Sequence, residues 1–346
     1  MIKGLDALIT EAINNKFMPG ANYCLIAKGK NYFNSLGNKA LSPSVEANDI
    51  DTIYDMASLT KVVATTTAVM ILLEQGKLRL YDTVKDHLPK FRHPGITVWN
   101  LLTHTSGLPS DVPKVLYDSK DELVKHVLYV DLPNKTNSRI LYSDIGYILL
   151  GMVVEAASGM TIDAFTKKYI FEPLEMIDSG YNPKDVKRCA PTEDRGDFID
   201  RGYVHDEKAH ALGGVAGHAG LFSTVKDISH FLEMILNDGA YKGKQILSKA
   251  TVDALFVTRV EEYTGVSVNP LRRGLGWITQ GEYAVSGDLA SLNTIMHTGF
   301  TGTHIFIDRD NKIAFCMLTN RVHPTRENNL LIPFRAKVGN YILSHF

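Results

Sequence analysis

Ser58 and Lys61 lie three residues apart, at a spacing where their side chains can cooperate in catalysis. Residues at this spacing share one face of an α-helix, with Cβ atoms about 5–6 Å apart, so a lysine nitrogen can reach a serine hydroxyl. A serine hydroxyl is a weak nucleophile until a neighbouring base or cation activates it. The pair therefore predicts nucleophilic catalysis through an acyl-serine intermediate, provided that the segment is helical.

The residues that follow Lys61 predict such a helix. Residues 62–73 carry no charge, and Gly76 is placed to end the helix in the left-handed conformation. Twelve residues are too few to span a bilayer, so we expect a buried helix of a globular core. Ser58 would lie in its first turn. There, unpaired N–H groups and the helix dipole stabilise developing negative charge and disfavour the protonated form of a desolvated Lys61.

The Ser-x-x-Lys spacing alone is weak evidence, because Ser223 and Lys226 repeat it. In that second copy, Thr224 and Asp227 are typical of a capping box that opens a helix, with Lys226 facing water. We interpret the second copy as structural. A catalytic interpretation of Ser58 and Lys61 therefore needs support from other residues.

Tyr142, in the segment Tyr142-Ser143-Asp144, is the candidate base. It precedes the apolar residues 145–154, at a turn where a phenol can project into a cleft. A phenol can take the serine proton only beside a cation such as Lys61. An amphipathic tyrosine at a helix entrance is the structural alternative.

The segment His297-Thr298-Gly299 leads into a predicted strand and is placed to line a cleft. Gly299 allows the backbone to approach a ligand closely, and the N–H of Phe300 could act with the N–H of Ser58 as an oxyanion hole. A glycine-rich turn feeding a strand is the alternative interpretation.

Both ends of the chain predict hairpins, and the middle predicts helices. The predicted strands are residues 22–27, 31–36, 303–308 and 312–319, and the clearest helices are 122–129, 144–157, 162–169 and 330–343. The predicted fold class is α/β (α+β), with an antiparallel sheet flanked by the N- and C-terminal helices and an inserted, mostly helical lobe.

This organisation predicts two lobes with the active site between them. Residues 1–60 and 220–346 are expected to form a discontinuous sheet lobe, and residues 61–219 the helical lobe. Active sites favour such clefts.

The composition is that of an ordinary globular protein, with 45% hydrophobic and 22% charged residues. A formal net charge of −1 gives no electrostatic argument for nucleic acid or an anionic membrane, so we expect a small-molecule partner. The first residues lack the apolar core of a signal peptide, which predicts a cytoplasmic location unless a leader was removed. Cys24, Cys189 and Cys316 are odd in number and far apart along the chain, which argues against a disulfide framework.

The order of these motifs resembles the penicillin-recognising serine hydrolases, which comprise class C β-lactamases, D-alanyl-D-alanine carboxypeptidases and related esterases. Residues 101–109, 213–224 and 274–277 resemble the same family. The resemblance extends from about Gly20 to the C-terminus, and it implies a β-lactamase/transpeptidase-like fold with two lobes.

The resemblance also implies roles for individual residues. Ser58 is the expected nucleophile, Lys61 and Tyr142 the proton-shuttling pair, and the N–H groups of Ser58 and Phe300 the oxyanion hole. It implies a carboxypeptidase- or amidase-like hydrolase of cell-wall-type peptides or β-lactams, with no cofactor. A carboxylesterase of the same family and a penicillin-binding sensor that acylates without turnover are the alternatives.

Two positions depart from the family pattern. Asp144 stands where β-lactamases and carboxypeptidases usually have Asn, which weakens the case for β-lactam turnover. Its carboxylate should favour a charged Lys61 and leave the base role to Tyr142. His297 stands where many β-lactamases have Lys, and we expect activity on carboxylate-bearing substrates to rise as His297 becomes protonated.

Further candidates are substrate contacts and metal ligands. Arg321 could hold a substrate carboxylate, and Asp144, His297, Thr298 and Gly299 complete the predicted substrate-binding set. The residues His205, Asp206, His210 and His218 form a cluster that would suit a metal-dependent hydrolase. Without a second metal motif we interpret them as polar loop residues lining the cleft and expect no metal. His104 and Ser106 are interpreted as turn residues.

Overall fold

The computed structural model describes residues 1–117, 119–282 and 284–346. Its centre is an antiparallel sheet of nine strands, counted over those residues. In order across the sheet, the strands are Glu46–Ala47, Lys30–Ala40, Gly20–Ala27, Ile313–Leu318, His304–Asp308, Thr294–Thr298, Ile278–Thr279, Leu271–Arg273 and Val260–Glu262. The two ends of the chain meet in the middle, where Gly20–Ala27 pairs with Ile313–Leu318.

The first and last helices, Ile2–Asn14 and Leu331–His345, cover one face of the sheet. Ile2–Asn14 buries Leu5, Ile9 and Ala12, a spacing that places its apolar residues on one side of an α-helix. Val225–Leu236 packs on the opposite face, against the two central strands. The predicted fold class is confirmed by this arrangement.

Helices from the middle of the chain pack beyond Val225–Leu236 in one continuous apolar core. The α-helices there are Thr67–Glu74, Val84–His87, Val98–Leu102, Lys120–Tyr129, Asp144–Ser158, Ile162–Thr166, Glu207–Ala211 and Lys249–Leu255. Short 3-10 turns are Lys114–Leu116 and Val186–Arg188, and Lys167–Phe171 is a π-helix. A small sheet joins Tyr54–Asp55, Leu221–Ser223 and Gly180–Tyr181, and Ala240–Tyr241 pairs with Lys244–Gln245. The lobe boundaries at residues 60 and 220 stay a prediction.

The helix that carries Ser58 and Lys61 is longer and less regular than predicted. It begins as a 3-10 turn at Ala57–Leu59, continues as a π-helix over Lys61–Thr66 and ends as the α-helix Thr67–Glu74. π-helical turns are rare and often lie at functional sites. Gly76 follows with a φ of 67°, as the sequence predicts for a helix end.

Because this run extends over eighteen residues, Ala57–Glu74, the twelve-residue estimate was too short. By length and composition it is long enough to cross a membrane, and so is the pair Asp144–Ser158 and Ile162–Phe171 if its 72° bend is ignored. Within the protein, however, 83% of the run Ala57–Glu74 is buried, which is typical of a core helix.

The three cysteines are buried and free. Cys24 and Cys316, although far apart along the chain, lie directly opposite each other on the two central strands.

Candidate active site

The turn before Ser58 is held by a buried carboxylate. Ala57 has a φ of 45°, a left-handed conformation that is unfavourable for a residue with a side chain. Its N–H donates to Asp55 Oδ1 at 2.8 Å, and the N–H of His205 donates to Asp55 Oδ2 at 2.7 Å. Burial raises the pKa of Asp55 to about 7, although both hydrogen bonds oppose the rise. Asp55 thus fixes the backbone that presents Ser58, a role that sequence reasoning missed.

Lys61 is fully buried among polar partners. Its Nζ donates to Ser58 Oγ at 2.9 Å and to the backbone oxygen of His218 at 2.9 Å. It also forms an ion pair with Asp144, whose Oδ1 lies 2.8 Å from Nζ. The structure therefore brings Ser58, Lys61 and Asp144 together.

Lys61 is an ammonium in this environment. Burial works to lower its pKa, but the Asp144 carboxylate and Tyr142 outweigh burial and raise the pKa above its ordinary value. The expectation that desolvation and the helix dipole favour a neutral amine is wrong, because Asp144 supplies a carboxylate in direct contact. A charged Lys61 can donate to Ser58 Oγ but cannot accept its proton.

Tyr142 lies beside Lys61, in a turn that is pinned to His104. The N–H of Leu141 donates to the backbone oxygen of His104 at 2.8 Å, and the N–H of Ser143 donates to His104 Nδ1 at 3.1 Å. The ring centre of Tyr142 lies 4.9 Å from Lys61 Nζ. His104 is thus more than a general turn residue, since it positions the candidate base.

A second cation, Arg273, lies against Tyr142. Arg273 is 8% exposed, and its Cζ lies 5.6 Å from the centre of the Tyr142 ring. Its Nε and Nη1 have no hydrogen-bond partner among the described residues. A guanidinium and an ammonium beside one phenol can stabilise negative charge on its oxygen if the proton leaves. Sequence reasoning missed Arg273, which is placed here by the strand Leu271–Arg273.

The turn after the strand Thr294–Thr298 packs directly on the segment before Ser58. Thr301 Oγ1 donates to the backbone oxygen of Asp55 at 2.8 Å, and Thr303 Oγ1 donates to that of Met56 at 3.1 Å. A Cβ at Gly299 would lie 2.7 Å from the Met56 oxygen and 2.1 Å from Thr303 Oγ1, so only glycine fits. The two segments with the candidate oxyanion donors, Ser58 and Phe300, are therefore joined by hydrogen bonds.

His297 is buried at the end of this strand, and its Nδ1–H donates to the backbone oxygen of Thr298 at 2.9 Å. Burial, reinforced by the positive charges of Arg273 and Lys61, holds the pKa of His297 well below 6.5. The expectation that His297 becomes a protonated carboxylate ligand is therefore contradicted. A neutral imidazole in this orientation presents the lone pair of Nε2.

Arg321 is buried and engaged in its own loop. Its Nη1 donates to the backbone oxygens of Arg326, at 3.4 Å, and Asn328. Its Cζ lies 4.8 Å from the ring centre of Phe300, which is half-exposed. These contacts oppose the predicted carboxylate-binding role, because the guanidinium already supports the loop and the Phe300 ring.

The four residues considered as metal ligands do not form one group. His205 Nε2 lies 3.1 Å from Glu193 Oε2, whereas His218 Nε2 lies 2.8 Å from Asp206 Oδ1. The ring of His210 lies 6.4 Å from that of Tyr203. These residues do not share a site, because each contacts a different neighbour although all lie in one loop.

A different trio has atoms close enough to hold a metal ion. Ligand atoms of Asp144, Asp206 and His218 lie within 4.8 Å of one another. The ammonium of Lys208 lies among these residues, 3.1 Å from Asp144 Oδ2 and 3.2 Å from Asp206 Oδ2. A lysine therefore already supplies positive charge to this trio.

A cavity of about 760 Å³, a volume in the usual range for ligand pockets, lies beside the helix Glu207–Ala211 and is lined by its Glu207 and His210. One of its walls is His205, whose ring stacks 5.7 Å from that of Phe300. Another is Tyr117, whose ring centre is 6.0 Å from Lys208 Nζ. The other aromatic residues that line it are Phe198, Tyr203 and His210.

The fold and the contact of the buried Lys61 with the partly buried Ser58 are typical of a serine hydrolase that forms a covalent acyl-enzyme. The Beta-lactamase family model matches residues 5–340, and the chain belongs to this family. The predicted resemblance and enzyme class are thereby confirmed.

Two relatives have similar sequences over most of their length. The N-acetylmuramyl-L-alanine amidase of Bacillus subtilis (strain 168) is 34% identical, over 84% of this chain and 74% of the relative. A protein of Escherichia coli (strain K12) named D-alanyl-D-alanine carboxypeptidase is also 34% identical, over 84% of this chain and 75% of the relative.

Solved structures of lower identity show the same fold. EstCE1, a hydrolase with promiscuous acyltransferase activity, superposes with a TM-score of 0.76 at 21% identity, covering 97% of this chain and 98% of its own. An octameric penicillin-binding protein homologue from Pyrococcus abyssi gives a TM-score of 0.73 at 23% identity. The superposition covers 98% of this chain and 77% of the homologue's chain.

Proposed function

We propose that this protein is an amidase that cleaves small peptidoglycan-type fragments through an acyl-Ser58 intermediate. The observation that carries the proposal is the contact of Lys61 Nζ with Ser58 Oγ at 2.9 Å, while Asp144 holds Lys61 as an ammonium. Lys61 then orients the nucleophile and stabilises charge, and Tyr142 acts as the base.

In the proposed reaction, Ser58 Oγ attacks the amide carbonyl carbon and its proton passes to Tyr142. The N–H groups of Ser58 and Phe300 bind the oxyanion of the tetrahedral intermediate. The C–N bond breaks as Tyr142 returns the proton to the leaving amine. Water then attacks the acyl ester by the same steps, which releases the acid and restores Ser58.

The charges around the site favour an amidase over a carboxypeptidase. A carboxypeptidase has to bind the terminal carboxylate of its substrate, and this normally needs an available cation. The two residues predicted for that task are unsuitable, since His297 is neutral and Arg321 is engaged in its own loop. Arg273 is buried against Tyr142.

The aromatic cavity, which meets the site where the ring of His205 stacks on that of Phe300, supports a substrate with a bulky group. Phe198 and Tyr203 are each 60% exposed at its edge. Exposed aromatic rings in a concave site favour contact with the flat face of a ring or with an apolar chain. The amidase relative, by its name, acts on a sugar joined to a peptide.

The test is a comparison of two substrates by mass spectrometry. One is N-acetylmuramyl-L-alanyl-D-isoglutamine, and the other is a peptide that ends in D-alanyl-D-alanine. We expect release of the free peptide from the first, loss of this activity in Ser58→Ala, and a mass adduct on Ser58 of the wild type when the reaction is quenched early. Release of D-alanine alone would overturn the amidase assignment in favour of a carboxypeptidase.

A chromogenic ester and a fluorescent penicillin complete the comparison. Rapid ester turnover without amide cleavage would indicate the carboxylesterase alternative, and a stable penicillin adduct without turnover would indicate the sensor. The cytoplasmic location and the absence of nucleic-acid and membrane partners stay predictions. Cell fractionation would test the first of them.

A further inference from the structure

Lys208 lies outside the residues with proposed catalytic roles, yet it is buried beside them. It is the second residue of the helix Glu207–Ala211, and its side chain is 5% exposed. Its Nζ lies 2.9 Å from Asp111 Oδ1, 3.1 Å from Asp144 Oδ2 and 3.2 Å from Asp206 Oδ2. All three carboxylates therefore lie within ion-pair distance of one buried ammonium.

These three carboxylates keep Lys208 charged. Burial works to lower its pKa, but Asp206, Asp144 and Asp111 together raise the pKa above its ordinary value. Removing an ammonium from water costs several kcal/mol unless well-placed partners offset the loss. The partners come from separate segments of the chain, so the ammonium ties those segments together.

Asp144 is the partner that connects Lys208 to the nucleophile. Its Oδ1 lies 2.8 Å from Lys61 Nζ, and its Oδ2 lies 3.1 Å from Lys208 Nζ. Lys61 in turn donates to Ser58 Oγ. One carboxylate therefore lies between two ammonium groups, and its orientation depends on both.

Without Lys208 the carboxylates would be left facing one another. Ligand atoms of Asp144 and Asp206 lie within 4.8 Å, a separation at which like charges repel, and the more so as water is excluded. Asp144 could relieve the repulsion only by turning or by moving toward Lys61. Either change would alter the direction in which Lys61 donates.

We propose that Lys208 is a positioning residue for acylation of Ser58, holding the Asp144 carboxylate so that the Lys61 ammonium is directed at the serine hydroxyl. The inference rests on the proposed serine-hydrolase mechanism. It explains how a carboxylate can occupy position 144, because a second cation shares its charge. The family resemblance gives no role to Lys208.

The first test is the rate of Ser58 acylation by p-nitrophenyl butyrate in Lys208→Met and Lys208→Arg. Misplacing a reacting group by about 1 Å can slow a reaction by about 10²-fold, and we expect a loss of this size in kcat, with little change in KM, for Lys208→Met. Lys208→Arg retains the charge and should recover most of the rate.

The matched control is Lys226→Met, which removes the lysine of the second Ser-x-x-Lys. Lys226 is half-exposed and pairs with Asp51 at 2.6 Å on the surface. The acylation rate of Lys226→Met should therefore equal that of the wild type. Thermal unfolding of each variant separates a loss of folded enzyme from a loss of rate. An unchanged rate in folded Lys208→Met would overturn the proposal.

A double-mutant cycle with Asp144→Asn tests the route of the effect. If Lys208 acts through the charge of Asp144, Lys208→Met should slow the Asp144→Asn enzyme by less than about threefold, because coupled residues give non-additive effects. An equal loss in both backgrounds would overturn the assignment. Should Ser58→Ala remain as active as the wild type, the proposed function itself fails, which is a separate outcome.

Discussion

His297 donates its Nδ1–H to the backbone oxygen of Thr298 at 2.9 Å. A carbonyl oxygen can only accept, so the hydrogen is on Nδ1 and the neutral ring presents the lone pair of Nε2. Nε2 is buried and has no partner in the described part of the chain. At this position the protein therefore presents a neutral acceptor, where the family resemblance implies a cation in many β-lactamases.

The first prediction concerns the pH dependence of acylation. Because burial, Arg273 and Lys61 hold the pKa of His297 well below 6.5, the imidazole should not titrate near pH 6.5. We expect the pH profile of kcat/KM to keep its shape around pH 6.5 when His297 is replaced by Gln, even if its height changes. A step near pH 6.5 that is present in the wild type and absent from His297→Gln would contradict this prediction.

The second prediction concerns Asp144 and the charge of Lys61. Asp144 opposes the effect of burial on Lys61, so Asp144→Asn should lower the pKa of Lys61 and bring its deprotonation into a measurable range. The wild type, whose Lys61 pKa is raised, should show no loss of activity from Lys61 below about pH 10, and the variant should lose activity at lower pH.

The same change should alter stability in a pH-dependent way. A lysine whose pKa is raised in the folded state stabilises that state fully below its unfolded pKa, near 10.4, and loses the effect as pH rises through the folded pKa. At pH 7, 8.5 and 9.5, all below that window, urea unfolding should show a constant Lys61 contribution in the wild type, whereas in Asp144→Asn, where burial lowers the pKa of Lys61, the free energy of unfolding should rise with pH. Equal pH dependence in the two proteins would count against Asp144 as the dominant partner.

The third prediction concerns Gly299, where the turn meets the Ser58 segment. A Cβ there would lie 2.7 Å from the Met56 backbone oxygen and 2.1 Å from Thr303 Oγ1, so the turn must move away. We expect Gly299→Ala to slow acylation by about 10²-fold, since the Phe300 N–H would be displaced from the site. Gly95→Ala, which meets no atom within 4 Å, is the matched control and should have the wild-type rate.

The residues that sequence could predict are those set by local spacing. Ser58 and Lys61 are separated by one helical turn, so their contact at 2.9 Å follows from a short segment. Lys208 and Arg273 could not be predicted in this way, because Asp111 and Asp144 beside Lys208, and Tyr142 beside Arg273, come from distant parts of the chain. The charge of His297 depends on burial among those same residues, which spacing does not reveal. For the fold, the hairpins at both ends predicted the central strands, whereas the short edge strands carried no pattern.

The fourth prediction is that Arg273→Met makes the protein more stable and less active. The guanidinium is 8% exposed, and neither Nε nor Nη1 has a partner among the described residues. A buried polar group without a hydrogen bond costs about 1–3 kcal/mol, so an apolar side chain of similar length should raise the free energy of unfolding by an amount in that range. The positive charge beside Tyr142 would be lost at the same time, and with it the stabilisation of negative charge that develops in the reaction, so acylation of Ser58 should slow. Such an opposition between stability and activity is expected where a buried polar group without a partner serves a reaction.

Urea unfolding and the acylation rate measure the two effects separately. The control is Arg92→Met, which alters a surface arginine paired with Asp131. If Arg273→Met were less stable yet equally active, Arg273 would be a structural residue with no part in the chemistry of Tyr142.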